Sequence, residues 1–339
     1  MIQQCVIHRV GNKNRDEGVV LSENTTSLSP ELKVTLVKYF LQNFEGKEEI
    51  WNFTHIDDVK YNEVSSYVSD IFKGADFVDI SQKIAKYLYE CCVHPNIKGG
   101  ELFVVNLSNV VYGGKRVSAV GLFKSETKDT FLRFIFMNNN LEVENEIGAN
   151  ANRLDKGCII LDYADEKGYY VFTLDSSNRT DAKYWTDDFL SIIPRQNEYT
   201  YTKDVLSMTK EFVSKVLPVE HIVTKAEQVE LLNNTMNYFK GNESFSMQSY
   251  EEEVLGDESI INSFNKHKEV YQQERDANLE ENFSISDTAL KKLERRMKSV
   301  IKLDSNFHIY VHGGEQLIEQ EYDEVRGMKC YKLYFREEK

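Results

Sequence analysis

Between residues 99 and 174 the chain repeats one pattern: short apolar or alternating runs separated by turns of Gly, Asn, Asp and Lys. The runs cover 102–107, 117–123, 131–136, 158–163 and 169–174. Alternation sends successive side chains to opposite faces of a strand, and connections this short only reverse its direction, so the stretch reads as an antiparallel meander. Leu102-Phe103-Val104-Val105 is apolar on both sides, which predicts a central strand covered on both faces. A sheet of that kind needs helices to pack on it.

The flanking sequence supplies them. Residues 2–10 alternate as a strand, with 18–21 as its partner. Ser29-Pro30-Glu31 starts a helix, with Ser as N-cap, Pro at the first helical position and an acid in the first turn. Leu32, Leu36, Val37, Phe40, Leu41 and Phe44 then share one face, and Gly46 ends it. A second helix is expected over 59–72 and a third over 81–92, stopped by His94-Pro95. After the meander, helical periodicity returns at 204–217, ended by Pro218, and again from the capping box Thr224-Lys225-Ala226-Glu227 through Phe239. Residues 242–282 carry eleven acids against three basic residues, Glu251-Glu252-Glu253 among them, and read as a solvated helical segment. Ser286-Asp287 caps a helix to about residue 302, with Leu290, Leu293, Met297 and Val300 on its apolar side; 307–311 and 329–335 read as strands. The expected fold is α+β: a central, largely antiparallel sheet flanked by helices, with a helical C-terminal part ending in a β-hairpin. The expected domains are 1–200 and 201–339.

With 41% apolar residues, the 339-residue chain can build a real core. No run of eighteen apolar residues occurs, so no transmembrane helix is expected, and no membrane partner is expected. Five cysteines, an odd number with no CxxC spacing, point to free thiols in the cytoplasm.

Candidate chemistry is sparse. His308 and His312 are the nearest histidine pair, without an apparent third ligand, so no metal and no cofactor are expected. Cys158 and Ser108 are the conspicuous nucleophiles, but neither lies in a Gly-x-Ser-x-Gly elbow or beside a paired His, and Cys158 reads as strand packing. Gly113-Gly114-Lys115-Arg116 lacks phosphate-loop spacing and reads as a hairpin turn. Asp162, Asp175, Glu319, Glu321, Asp323 and Lys329 are the residue types a metal-dependent nuclease uses, yet no spacing singles out a set.

The basic helix is the best pointer to function. Residues 286–302 hold six Lys/Arg against two acids in a chain of net charge −14. Lys291, Arg295 and Lys298 follow an i, i+4, i+7 line with Lys292 and Arg296 beside it, a face that suits a phosphate backbone. The competing reading is a salt-bridged surface helix packed against the acidic 243–281 segment.

Several segments, taken in order, resemble the 37-kDa nucleoid-associated protein family (NdpA/YejK-like). They are Gly99-Gly100-Glu101-Leu102-Phe103-Val104-Val105, Gly157-Cys158-Ile159-Ile160-Leu161-Asp162 with Tyr170-Val171-Phe172, and Ala182-Lys183-Tyr184-Trp185 followed by Phe189-Leu190. The closing Gly327-Met328-Lys329-Cys330-Tyr331-Lys332-Leu333-Tyr334-Phe335 completes the series. The resemblance implies a cytoplasmic bacterial protein of the nucleoid that binds DNA and has no enzymatic chemistry, and it brings no catalytic motif. The expected partner is DNA, through Lys291, Lys292, Arg295, Arg296 and Lys298, with Arg9, Lys13 and Arg15 as secondary candidates. The alternatives are a protein-interaction module of a DNA-processing or phage-defence assembly, using 243–281, and a metal-dependent nuclease. A homo-oligomer is a further expected state.

Overall fold

The computed structural model describes residues 1–176, 183–275, 277–297, 300–304, 306–310 and 318–337. The chain forms two compact units, Met1–Arg195 and Gln196–Lys339.

The first unit contains β1 (Ile2–Val10), β2 (Val19–Val20), α1 (Pro30–Leu41), β3 (Trp51–Phe53), α2 (Glu63–Phe72), α3 (Phe77–Cys91), β4 (Gly100–Tyr112), β5 (Lys115–Ser125), β6 (Asp129–Met137), β7 (Asn140–Gly148), β8 (Lys156–Asp165), β9 (Gly168–Asp175) and β10 (Ile192–Pro194). Eight strands make one antiparallel sheet in the order β10-β3-β9-β8-β5-β4-β1-β2. The meander is thus β4-β5-β8-β9, extended by β1 beside β4 and by the short β3 beside β9.

The central strands are covered on both faces. Leu102 and Val104 face α2, α3 and the 184–192 segment, while Val105 and Leu107 face α1. On the α1 side Phe40 stacks on Phe123 with ring centroids 4.2 Å apart. The β4–β5 hairpin turns on Gly113 (φ +54°) and Gly114 (φ +74°), the pair of left-handed residues that a two-residue hairpin matched to strand twist requires. At its other end a Cβ on Gly100 would stand 2.1 Å from the Ser125 carbonyl oxygen, so only glycine lets β4 begin beside the end of β5.

One run departs from the meander. Residues 131–136 lie in β6, which among the described residues pairs only with β7, in a two-stranded ribbon inserted between β5 and β8. The ribbon carries Glu142, Glu144 and Glu146 on one face, and a strand with charges at alternate positions cannot enter a sheet covered on both sides without burying them. Helix α2 starts later than expected, after a 3-10 turn at Val59–Tyr61, because Asn62 caps it. Buried Asn62 accepts the Ser65 N–H and donates to the carbonyls of Thr54 and Leu190. Helix α3 starts earlier, at the Asp76 cap.

The second unit holds α4 (Glu198–Glu211), α5 (Leu217–Glu220), α6 (Lys225–Gly241), β11 (Ser244–Ser246), α7 (Met247–Tyr250), α8 (Glu258–Arg275), β12 (Asn282–Ser284), α9 (Asp287–Met297), β13 (Val300–Leu303), β14 (Phe307–Tyr310), β15 (Ile318–Asp323) and β16 (Met328–Leu333). Pro218 does not end the helical run. A π turn over Phe212–Val216 widens the backbone where the proline ring would meet the carbonyl one turn back, and α5 continues through Pro218. The acidic segment is more than a solvated helix: Phe245, Met247, Tyr250, Leu255, Phe264 and Tyr271 are all buried in this unit's core. Helix α9 stops at Met297, short of residue 302, because Val300 and Ile301 enter a ribbon with β14. The chain closes on the β15–β16 hairpin.

The capping box at α6 is formed in full, Thr224 accepting the Glu227 N–H while Glu227 accepts the Thr224 N–H. Thr224→Ala is expected to cost about 1 kcal/mol, read as a lower urea midpoint for the second unit; an unchanged midpoint would count against the cap.

Candidate nucleic-acid interface

Helix α9 is anchored at its start and along one side. The Ser286 Oγ accepts the Ala289 N–H at 3.3 Å, and the Ser286 N–H donates to the buried Thr202 Oγ1 of α4 at 3.0 Å. Ala289, Leu290, Leu293 and Met297 are buried, and the helix packs chiefly against α4 and α6. That spacing fills one side with core and leaves Lys291 and Lys292 exposed.

The charged residues differ in their local ties. Lys292 Nζ donates to the Tyr199 hydroxyl at 3.0 Å and lies 5.6 Å from the centre of that ring. Glu294 pairs with Lys240 of α6 at 2.6 Å. Among the described residues this ion pair joins α9 to α6, not to the 243–281 segment. Arg295 and Arg296 belong to α9 by position, and their side chains lie outside those described. Lys298 lies outside the described residues. Lys291 and Arg295 are four residues apart along α9, one helical turn.

Of the secondary candidates, Lys13 and Arg15 have other work. Lys13 is ion-paired with Glu90. Arg15 pairs with Glu17 at 2.7 Å and donates to the carbonyls of Pro95 and Ile97, bracing the loop before β4. Arg9 is exposed on β1.

The remaining candidates are dispersed. Cys158 is fully buried, and burial holds its thiol well above the ordinary value, leaving it protonated and inert. Ser108 Oγ accepts from Gln3 at 2.6 Å. His308 is exposed on β14, and His312 lies outside the described residues. Asp175 pairs with Lys156 at 2.8 Å, Glu321 with Lys332 at 2.6 Å, and Glu319 accepts the Tyr334 hydroxyl at 2.8 Å. Among the described residues no three His, Cys, Asp or Glu side chains are grouped so as to hold a metal ion.

Nothing in the spacing marks the most unusual charges in the chain. Lys124 and Lys156 are cross-strand partners on β5 and β8, and both are fully buried. Lys124 Nζ reaches Glu126 Oε1 (3.1 Å), the Tyr184 hydroxyl (3.0 Å) and the Lys98 carbonyl (2.8 Å). Tyr184 donates to the same Glu126 oxygen at 2.6 Å, and its ring centre lies 5.3 Å from Lys124 Nζ and 4.9 Å from Lys156 Nζ. Burial, and next the Glu126 carboxylate, hold the Tyr184 phenol well above its ordinary pKa, so it remains a donor. Asp155, also buried, accepts the N–H groups of Glu126 and Thr127 at 2.8 Å each. The one signal in the sequence is a lysine at the edge of each of two apolar runs, 119–123 and 158–161.

Fold and site together define a two-unit α+β protein with a basic helix on an acidic background. The chain belongs to the family of the nucleoid-associated protein YejK (NA37), whose model matches residues 6–327. No curated protein is significantly similar to it. Membership makes it a bacterial, cytoplasmic protein of the nucleoid. Among the described residues no helix is long and apolar enough to cross a membrane.

Proposed function

We propose that the chain binds DNA directly, gripping the phosphate backbone through α9 with little sequence preference and performing no chemistry on it. The observation that carries the reading is a lysine- and arginine-rich helix, with Lys291 and Lys292 exposed, on a nucleoid-associated protein of net charge −14. A whole-molecule field of that sign repels DNA at long range, so attraction has to come from charges within about 8 Å of the phosphates, one screening length at physiological salt. Affinity then rests on counterion release and falls steeply with salt.

The test is a DNA-binding titration across salt concentrations. Lys291, Arg295 and Arg296 changed together to Gln should weaken binding more than tenfold at low salt. The log–log salt dependence should become shallower by about one for each phosphate that is no longer neutralised. The same change to Glu should weaken binding further. Wild-type affinity and slope in the Gln variant would remove α9 as the contact.

A second reading is a protein-interaction module of a DNA-processing or phage-defence assembly. Glu252 and Glu253, exposed together on the acidic segment, favour it. It requires no measurable DNA affinity at physiological salt and capture of a basic partner that is lost when these glutamates are changed to Lys.

A further inference from the structure

The β6–β7 ribbon has two unlike faces. Cross-strand partners share a face, so Phe134↔Val143 and Phe136↔Leu141 lie together with Leu132 and Ile147, while Arg133↔Glu144 and Ile135↔Glu142 lie on the other side with Glu146. The first face carries no charge. Its six apolar side chains, Leu132, Phe134, Phe136, Leu141, Val143 and Ile147, are 58–76% exposed. At roughly 150–220 Å² per fully exposed side chain of these types, they offer about 750 Å², more than the largest apolar patch of a typical monomer. A lone two-stranded hairpin is also marginal in water, and among the described residues both strands here pair only with each other. Both facts call for a covering layer.

The chemistry of the ribbon narrows what covers it. Asp129, Glu142, Glu144 and Glu146 against Arg133 make it net acidic, which disfavours a nucleic acid groove or an anionic lipid surface. The uncharged face itself demands an equally flat, uncharged and apolar partner. Another copy of the same face meets that description. We infer that the chain dimerises through this ribbon, the apolar faces of two copies stacking about a two-fold axis. Such a contact is self-complementary and closed. It buries about 1,500 Å² in all, the size of a standard stable interface, and forms two sheet layers about 10 Å apart. The glutamate rows then point outward, away from each other. The inference does not depend on the DNA-binding reading.

Sedimentation of the full chain from about 1 to 100 μM tests it. Wild type should run at twice the chain mass over most of that range. Phe134→Glu, and independently Val143→Lys, should raise the dimer dissociation constant at least 100-fold. Because both side chains are exposed, the circular dichroism spectrum of each variant should be unchanged. Glu144→Lys, on the opposite face, should leave the constant within about twofold. A wild type monomeric throughout would overturn the inference and leave the face to a different partner. So would a dimer indifferent to Phe134→Glu and Val143→Lys, or one that Glu144→Lys disrupts as strongly as they do.

Discussion

Glu126→Gln should destabilise the first unit by about 3–5 kcal/mol, the cost of breaking a fully buried ion pair. The substitution keeps the shape of the side chain and removes only its charge. Lys124 then keeps its ammonium at zero exposure with the Lys98 carbonyl and the Tyr184 hydroxyl as its described partners. Lys156 stands opposite on the neighbouring strand, another cation facing the same tyrosine ring. Without Glu126, the two lysines share one fewer compensating charge in a low-dielectric interior. For a unit of this length the loss corresponds to a fall of roughly 10 °C in melting temperature. Lys124→Met combined with Glu126→Leu should recover much of it, since an apolar pair of similar volume avoids the desolvation cost of both charges. The four corners of that cycle, measured by thermal and urea unfolding, give the coupling directly. Additive single effects, or a Glu126→Gln loss below about 1 kcal/mol, would show that the charges are solvated.

These residues also mark where sequence legibility ends. Features encoded locally were readable: the Ser29-Pro30 start of α1, the Thr224–Glu227 capping box and the Gly113-Gly114 turn are each fixed by side chains within a few positions. The apolar side of α9 was readable for the same reason, since Leu290, Leu293 and Met297 recur at helical spacing. What failed depends on partners distant in the chain. The apolar run 131–136 reads the same whether the strand joins the main sheet or pairs with one neighbour in a ribbon, and only the pairing of β5 with β8 decides it. Pro218 reads as a helix end because its ring blocks ordinary helical geometry, yet one π turn removes the conflict. Lys124 and Lys156 carry no sequence signal of burial, since lysine almost never lies fully buried unless paired. Their partners Glu126, Asp175 and Tyr184 come together only when β5, β8, β9 and the 183–185 turn are assembled. The candidate interface is the mirror image: its charges are legible in the composition of one helix, while the Lys292–Tyr199 contact required α4 to be placed beside it.

Lowering the pH from about 6.5 to about 4 should cost the first unit roughly 3 kcal/mol through His8 alone. His8 sits on β1 at 1% exposure, and its hydrogen bonds fix a neutral ring. Nδ1 accepts the Ser22 N–H at 3.1 Å. Ser81 Oγ donates to the Val78 carbonyl at 2.7 Å, so toward His8 it can only accept, and Nε2 carries the proton across the 3.0 Å contact. Burial pushes the His8 pKa down from 6.5 to about 4. Protonation would also set a new Nδ1–H against the Ser22 N–H, a donor facing a donor. Between these two pKa values the unfolded chain binds a proton that the folded chain refuses, so stability is full above about pH 6.5 and falls as the pH drops toward 4. At about 1.4 kcal/mol for each pH unit between them, the window carries roughly 3 kcal/mol. Acidic side chains add a slope of their own, which His8→Gln shares. Urea unfolding of wild type and His8→Gln at about pH 7.5 and about pH 4.5 therefore isolates the histidine. The variant should be the less stable at the higher pH and should lose about 2–3 kcal/mol less on acidification. Parallel losses in the two proteins, or a His8 ring that titrates near 6.5 by NMR, would mean that the imidazole is hydrated and that β1 is held by packing alone.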